Sequence, residues 1–303
     1  MGTPGFAVPS LEILLKNNYP IAAVVTAPDK PRGRGQQVSF TPVKEFALKH
    51  SLSLFQPESL HSADFISSLA SLLPDLFVVV AFRILPPQAF SIPTRGAFNL
   101  HASLLPKYRG AAPINWAIIN GEKESGVTTF FLREKVDTGN IILQARVAIP
   151  ESMTAGELHD TLSDVGAEIV LQTVRLIELG KTHPRQQDDS LSSPAPKIFK
   201  NDCRIDWNTP PAAVHNFIRG LSPYPAAWTT HDGTMLKIYR SEKSEFRIQN
   251  PEAGRIKISG SKLYVATGSG TISVLEIQQE GKKRMSVEEF LRGYKIRDSD
   301  VLE

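Results

Sequence analysis

The chain has 303 residues, 41% of them hydrophobic and 21% charged, an ordinary composition for a globular protein long enough for two domains or one large one. A single cysteine, Cys203, excludes an internal disulfide and a cysteine-based zinc site, and no run of eighteen apolar residues is present to span a membrane. Net charge is +3: residues 1–203 carry 19 Lys and Arg against 19 Asp and Glu, and residues 204–303 carry 15 against 12, a surplus far short of a basic nucleic-acid-binding domain. A soluble, cytoplasmic protein is the expectation, because the N-terminus lacks the basic-then-apolar layout of a signal peptide.

In chain order, residues 1–7 read as a Gly-containing turn entering a helix over 6–17, with Leu11, Leu14 and Leu15 on one face. A doubly wound sheet starts on a buried strand, yet Met1 already stands in the turn that follows one. We therefore expect a central strand to be wanting and the natural start to lie upstream. Residues 20–26 form an apolar run typical of a buried parallel strand. They open into the loop 27–41, where Lys30, Arg32 and Arg34 lie among Pro and Gly. Helices are predicted over 41–50 and 59–72, a short strand over 52–55, and a central strand over 75–81, the most β-branched run in the chain.

Residues 97–121, AFNLHASLLPKYRGAAPINWAIING, combine a strand end, a polar tip, a basic turn and a helix start. Strand-to-loop junctions of this kind are where α/β folds place chemistry. Asn99 and His101, two apart on one strand, project to the same face. The amide can hold a developing oxyanion, and the imidazole can exchange a proton near neutral pH. Asp137, in the turn VDTGN, can fix the imidazole tautomer and favour its charged form. The trio suits acyl transfer to an amine. Ser103 has none of the glycines of a nucleophile elbow, so direct transfer is expected.

Helix 112–120, strands 126–132 and 141–149, and a T-x-x-E box at Thr154 and Glu157 opening a helix to Leu179 complete the first domain. His159 on that helix is read as structural. The polar, Pro-punctuated residues 181–203 read as a linker. From 204 on, short alternating segments separated by Gly turns suggest a small antiparallel barrel, with helices over 214–221 and 287–293. The turn GKKR offers Lys282, Lys283 and Arg284 to phosphates. No GxGxxG follows a strand, which disfavours a nicotinamide cofactor, and no metal is indicated.

NLHASLLPKYRGAAPINWAI, followed by GVTTFFLREKVDTGNII, resembles the folate-dependent formyltransferases, and MGTPGFAVPSL, TAPDKPRGRGQQVSFTPVK, LFQPESL, RIDWN and GKKRM continue the resemblance across the chain. FRILPP at 82–87 departs from the family's AYGxILP pattern. The resemblance implies an α/β, Rossmann-like formyltransferase domain over 1–180, a linker over 181–203 and an OB-like C-terminal domain over 204–303. It implies 10-formyltetrahydrofolate as formyl donor and the α-amine of methionine on initiator tRNA as acceptor. The family's catalytic Asn, His and Asp match Asn99, His101 and Asp137, and its folate-binding segment matches Ser103, Leu104, Leu105 and Pro106. There an apolar wall and exposed main-chain polar groups are expected to hold the pterin. The family's loop matching 27–41 engages the tRNA acceptor end, which implicates Lys30, Arg32 and Arg34. A monomer is expected. An amino sugar, a glycinamide ribonucleotide or water as acceptor, and a non-catalytic RNA-binding protein on the same fold, stay open at this point.

Overall fold

The structure, a computed structural model, describes residues 1–32, 37–249 and 252–303. The chain folds as two compact units: Met1–Gly110, Ser125–Val147 and His159–Pro194 form one, and Ala111–Glu124, Ala148–Leu158 and Ala195–Glu303 form the other. Most of the stretch read as a linker is thus part of the first unit.

The alternation of strands and helices over the first hundred residues is that of an α/β sheet. In order come α1 (Val8–Lys16), β1 (Val24–Val25), β2 (Lys30–Arg32), β3 (Gln37–Ser39), α2 (Pro42–Lys49) and β4 (Leu54–Phe55). They continue with α3 (Ala63–Ser71), β5 (Phe77–Val80), α4 (Pro87–Phe90), β6 (Ala97–His101) and β7 (Arg109–Gly110). Thr41 and Ser62 accept from the amides of Lys44 and Phe65 and so start α2 and α3. After α5 (Pro113–Ile119) come β8 (Glu124–Phe131), β9 (Ile141–Ala148) and the long α6 (Ala155–Glu178). The T-x-x-E box is formed as predicted: Thr154 N donates to Glu157 Oε2 at 2.7 Å, and Glu157 N donates to Thr154 Oγ1 at 3.3 Å.

One sheet of the first unit runs β5-β6-β8-β9, with β6 parallel to β5 and antiparallel to β8. A second pair joins β1 and β4 in parallel. Between the two stand Met1 and Gly2: Gly2 N donates to Val25 O at 3.0 Å, and Val80 N donates to Met1 O at 2.9 Å. Beside them a cavity of about 560 Å³ is lined by Leu11, Leu14, Ala23, Val25, Phe77 and Val78 among others. The run 20–26 is strand only at Val24–Val25.

The strand carrying the site is held from behind. Leu100 points away from Asn99 and His101 and meets α6 at Gly166, where an added Cβ would stand 2.7 Å from Leu100 Cδ2. Further along the same helix, Thr173 Oγ1 pairs with Thr129 Oγ1 on β8 at 2.8 Å. Buried Val25, Phe65, Leu69, Phe77, Val79 and Ala97 form an apolar cluster of this unit.

After β10 (Pro194–Ala195), the second unit holds α7 (Pro211–Leu221), β11 (Ala227–His231), β12 (Thr234–Ser244), β13 (Ile256–Ser259), β14 (Lys262–Thr267), β15 (Gly270–Gln279), β16 (Met285–Ser286) and α8 (Val287–Gly293). The sheet is antiparallel with strand order β11-β12-β15-β14-β13, and β16 pairs with β15. Alternate residues Leu236 and Ile238, Leu263 and Val265, and Ile272 and Val274 are fully buried under α7 and α8, while Thr271, Ser273 and Ala266 of the same strands are buried as well. Arg219 on α7, 2% exposed, donates to the carbonyls of Pro150 and Met153 at 3.2 and 3.0 Å, and His215 Nε2 stands 3.1 Å from the Glu151 carbonyl. Together they clamp the turn ahead of α6.

Candidate active site

His101 ends β6 and is 6% exposed. Its Nε2 lies 2.8 Å from the Tyr108 carbonyl, and a carbonyl only accepts, so the neutral ring carries its proton on Nε2. Nδ1 faces Asp137 Oδ2 at 3.8 Å, in a pair whose side chains are only 7% and 11% exposed. That distance is beyond a hydrogen bond. The expected tautomer-fixing role therefore passes from Asp137 to Tyr108. Asp137 instead offers negative charge next to Nδ1. Asn99, half-buried two residues earlier on the same strand, has no hydrogen-bond partner for its amide among the described residues.

Asp137 sits in a left-handed conformation, φ +55°, between β8 and β9. Its Oδ2 accepts from the Gly110 amide at 3.0 Å. Two residues on, Gly139 crosses the end of β8 so closely that an added Cβ would lie 1.6 Å from the Phe131 carbonyl oxygen. Thr138 Oγ1 donates to Lys135 O at 2.8 Å and closes the other side.

The segment Ser103, Leu104, Leu105 and Pro106 turns directly after His101. Ser103 and Leu105 are buried and Leu104 packs on Gly126, whose Cβ would come 2.5 Å from Leu104 Cδ2. Thr128 Oγ1 on β8 donates to Ser103 O and accepts from Leu105 N, at 2.6 and 3.1 Å. Gln144 Nε2 on β9 donates to Leu105 O at 2.9 Å, and Lys107 N to Leu104 O at 3.1 Å. The expectation of exposed main-chain polar groups is corrected for these atoms, which are already engaged inside the unit. The segment is a braced shelf, with Leu104 and Pro106 half-buried.

Of the predicted cationic residues, Lys30 is exposed on β2, and Arg32 ends that strand opposite Gln37. Arg34 lies outside the described residues. Lys282 and Lys283 are exposed. Arg284 is bound to Glu276 and lies over the Tyr239 ring, 4.5 Å from its centroid, so its charge is already answered within the sheet. His159 is paired with Asp160 at 2.9 Å and edge-on to Phe6, a structural placement. Arg83, where FRILPP departs from the family pattern, donates to the carbonyls of Pro57 and Glu58. Among the described residues no cluster of three or more His, Cys, Asp or Glu is placed to hold a metal, and no helix is long and apolar enough to cross a membrane.

The profile of the formyl transferase family matches residues 1–174, and that of the formyl transferase C-terminal domain matches residues 197–295. The chain belongs to the formyl transferase family. A methionyl-tRNA formyltransferase of Chlorobium limicola is 50% identical over 307 residues, 99% of this chain and 96% of that protein. One of Bacteroides thetaiotaomicron is 47% identical over 308 residues, 98% and 95% of the two chains. Among solved structures, the sugar 3N-formyl transferase WlaRD, in the presence of dTDP and 5-N-formyl-THF, shares the fold with a TM-score of 0.67 at 22% identity, over 93% of this chain and 97% of that one.

This formyl transferase carries site residues that the sequence reading passed over. Arg109 and Gln187 flank the Asp137 turn, and Thr128 and Gln144 brace the shelf. Thr128 is one of three buried hydroxyl residues on β8, with Ser125 and Thr129, so the strand's pattern did not single it out. Gln187, in a polar stretch, had no signal either.

Proposed function

We propose that the protein transfers the formyl group of 10-formyltetrahydrofolate to the α-amine of methionine esterified to initiator tRNA. The observation that carries this reading is the pairing of buried His101 with partly buried Asp137 beside the unpartnered Asn99 amide, on a chain that matches methionyl-tRNA formyltransferases over nearly its whole length. The donor supplies an activated formyl carbon. Its place is along Ser103, Leu104, Leu105 and Pro106, where the braced turn supplies a fixed apolar edge.

The neutral amine attacks the formyl carbon, and the Asn99 amide donates to the oxyanion that develops. The carbon's bond to the donor nitrogen breaks as its bond to the methionine nitrogen forms. The amine gives up one proton and the departing nitrogen gains one, so the exchange balances. His101 relays that proton through Nδ1, because Nε2 is committed to Tyr108. Asp137 stabilises the positive charge that the ring carries meanwhile. No covalent enzyme intermediate is needed.

The C-terminal sheet and the basic residues Lys30, Arg32, Arg34, Lys282 and Lys283 belong to the tRNA side. Arg284 supports that turn through Glu276. The test is formylation of charged initiator tRNA, followed by mass spectrometry of the formyl-methionyl ester. The parent chain forms the product, and His101→Ala loses turnover by about 100-fold or more with unchanged melting. A His101→Ala variant as active as the parent would reject the assignment; a parent that formylates only other amines would move the acceptor.

A further inference from the structure

Residues 181–203 read as a linker, yet one of them is built into the site. Gln187 is 7% exposed. Its Nε2 donates to two carbonyls, Asp137 O at 2.9 Å and Gly139 O at 2.8 Å, which bracket Thr138. Its Oε1 accepts from Arg109 Nε at 3.2 Å and from Arg109 Nη2 at 2.7 Å. Both amide protons and both oxygen lone pairs are thereby used, which fixes the group's orientation. Arg109 Nη2 is further tied to Asp189 Oδ1 at 2.6 Å, and this guanidinium holds the Asp189 carboxyl below the usual carboxylate range.

The arrangement touches both halves of one hydrogen bond. Gly110, the residue after Arg109, donates its amide to Asp137 Oδ2. Gln187 holds Arg109 on one side of that bond and the main chain of Asp137 on the other. The backbone it grips is a non-glycine residue at φ +55°, a conformation that persists only where its surroundings hold it. We propose that Gln187 is a positioning residue for Asp137: it sets where the Asp137 carboxylate stands relative to His101 Nδ1, and touches no substrate. The inference rests on the reading of Asn99, His101 and Asp137 as the catalytic groups.

The test uses the full chain with Gln187→Glu and Gln187→Met, each alone and in an Asp137→Asn background. Glu keeps the volume and the hold on Arg109 but cannot donate to the two carbonyls; Met removes both links. Expected is a fall in kcat of about 10- to 100-fold in each single variant, with KM for donor and acceptor within about twofold. In the Asp137→Asn background the further loss is under about twofold, because the residue that Gln187 positions is already disabled. In ligand-free protein the Gly110 amide exchanges with solvent at least about tenfold faster in both variants. Should Met disrupt folding, Glu alone decides.

Single variants with kcat within about twofold of the parent, or losses that add in full to that of Asp137→Asn, would overturn the role of Gln187 while leaving the site reading standing. An Asp137→Asn variant with parental kcat would instead overturn the site reading, and this inference with it. If the parent prefers another amine, the same cycle is run on that amine.

Discussion

A histidine with one nitrogen pinned to a carbonyl has only the other for chemistry. For His101 the pinned atom is Nε2, and the residue that pins it, Tyr108, lies seven positions on, past the whole braced turn 103–106. Shelf and imidazole are therefore set by one stretch of chain. The turn bearing Asp137 is set by steric necessity, since Gly139 passes so near the Phe131 carbonyl that no side chain fits. Gly139→Ala is expected to reduce kcat by about 10-fold or more although Asp137 itself is intact. Steady-state kinetics with a melting control decide this, and an unimpaired, fully stable variant would show that the turn has slack. Asn99 and His101 could be placed on one face of a strand from its alternation, and Asp137 in a turn from its VDTGN setting. Gln187 and Arg109 were not legible, because what places a lone polar side chain is tertiary contact, which leaves no period in the sequence.

Secondary-structure elements were read best where a local chemical rule sets their ends. Thr154 with Glu157 starts α6, and Gly180 at φ +63° follows its end. The interval 20–26 was read less well: its apolar run has the composition of a strand, but extended pairing needs a partner, and only Val24 and Val25 have one in β4. At α7 the burial of two ionisable groups yields a prediction. His215 is 5% exposed between the Glu151 carbonyl and Ser241, with Arg219, Lys243 and Glu151 as its charged neighbours. Burial pushes its pKa below the ordinary 6.5, and Arg219 adds to that. The folded ring thus stays neutral at a pH where the unfolded ring takes a proton. The resulting stability is full above about pH 6.5 and is lost as pH falls below it toward the folded value. The melting temperature is expected to drop between about pH 7 and about pH 5, and His215→Gln to flatten part of that drop. An identical slope in parent and variant would reject it.

At the scale of the whole molecule, the bound tRNA is a polyanion, so its affinity depends on salt. Replacing Lys30, Arg32 and Arg34 by alanine, or Lys282 and Lys283, is expected to raise KM for tRNA. Each phosphate left without its cation should flatten the plot of log KM against log salt by about 0.7 to 0.9. Arg284→Ala is expected to lower stability instead, because its partner is Glu276. A parental salt slope in both basic variants would place the tRNA elsewhere. The antiparallel character of the C-terminal sheet was legible from its evenly spaced Gly turns. The composition of the two units was not, since Ala111–Glu124 and Ala148–Leu158 join the second unit through packing that no local pattern announces.

The grip of Gln187 on the Asp137 turn spans 50 residues of sequence, and Ser193 reaches back farther still, its Oγ accepting from Tyr108 N across 85. During synthesis, both ties can close only after the ribosome has released the chain beyond residue 193. A nascent chain halted at residue 180 would hold Asn99, His101 and Asp137 but neither tie, so the setting of the Asp137 turn and of the Tyr108 amide is completed late in translation.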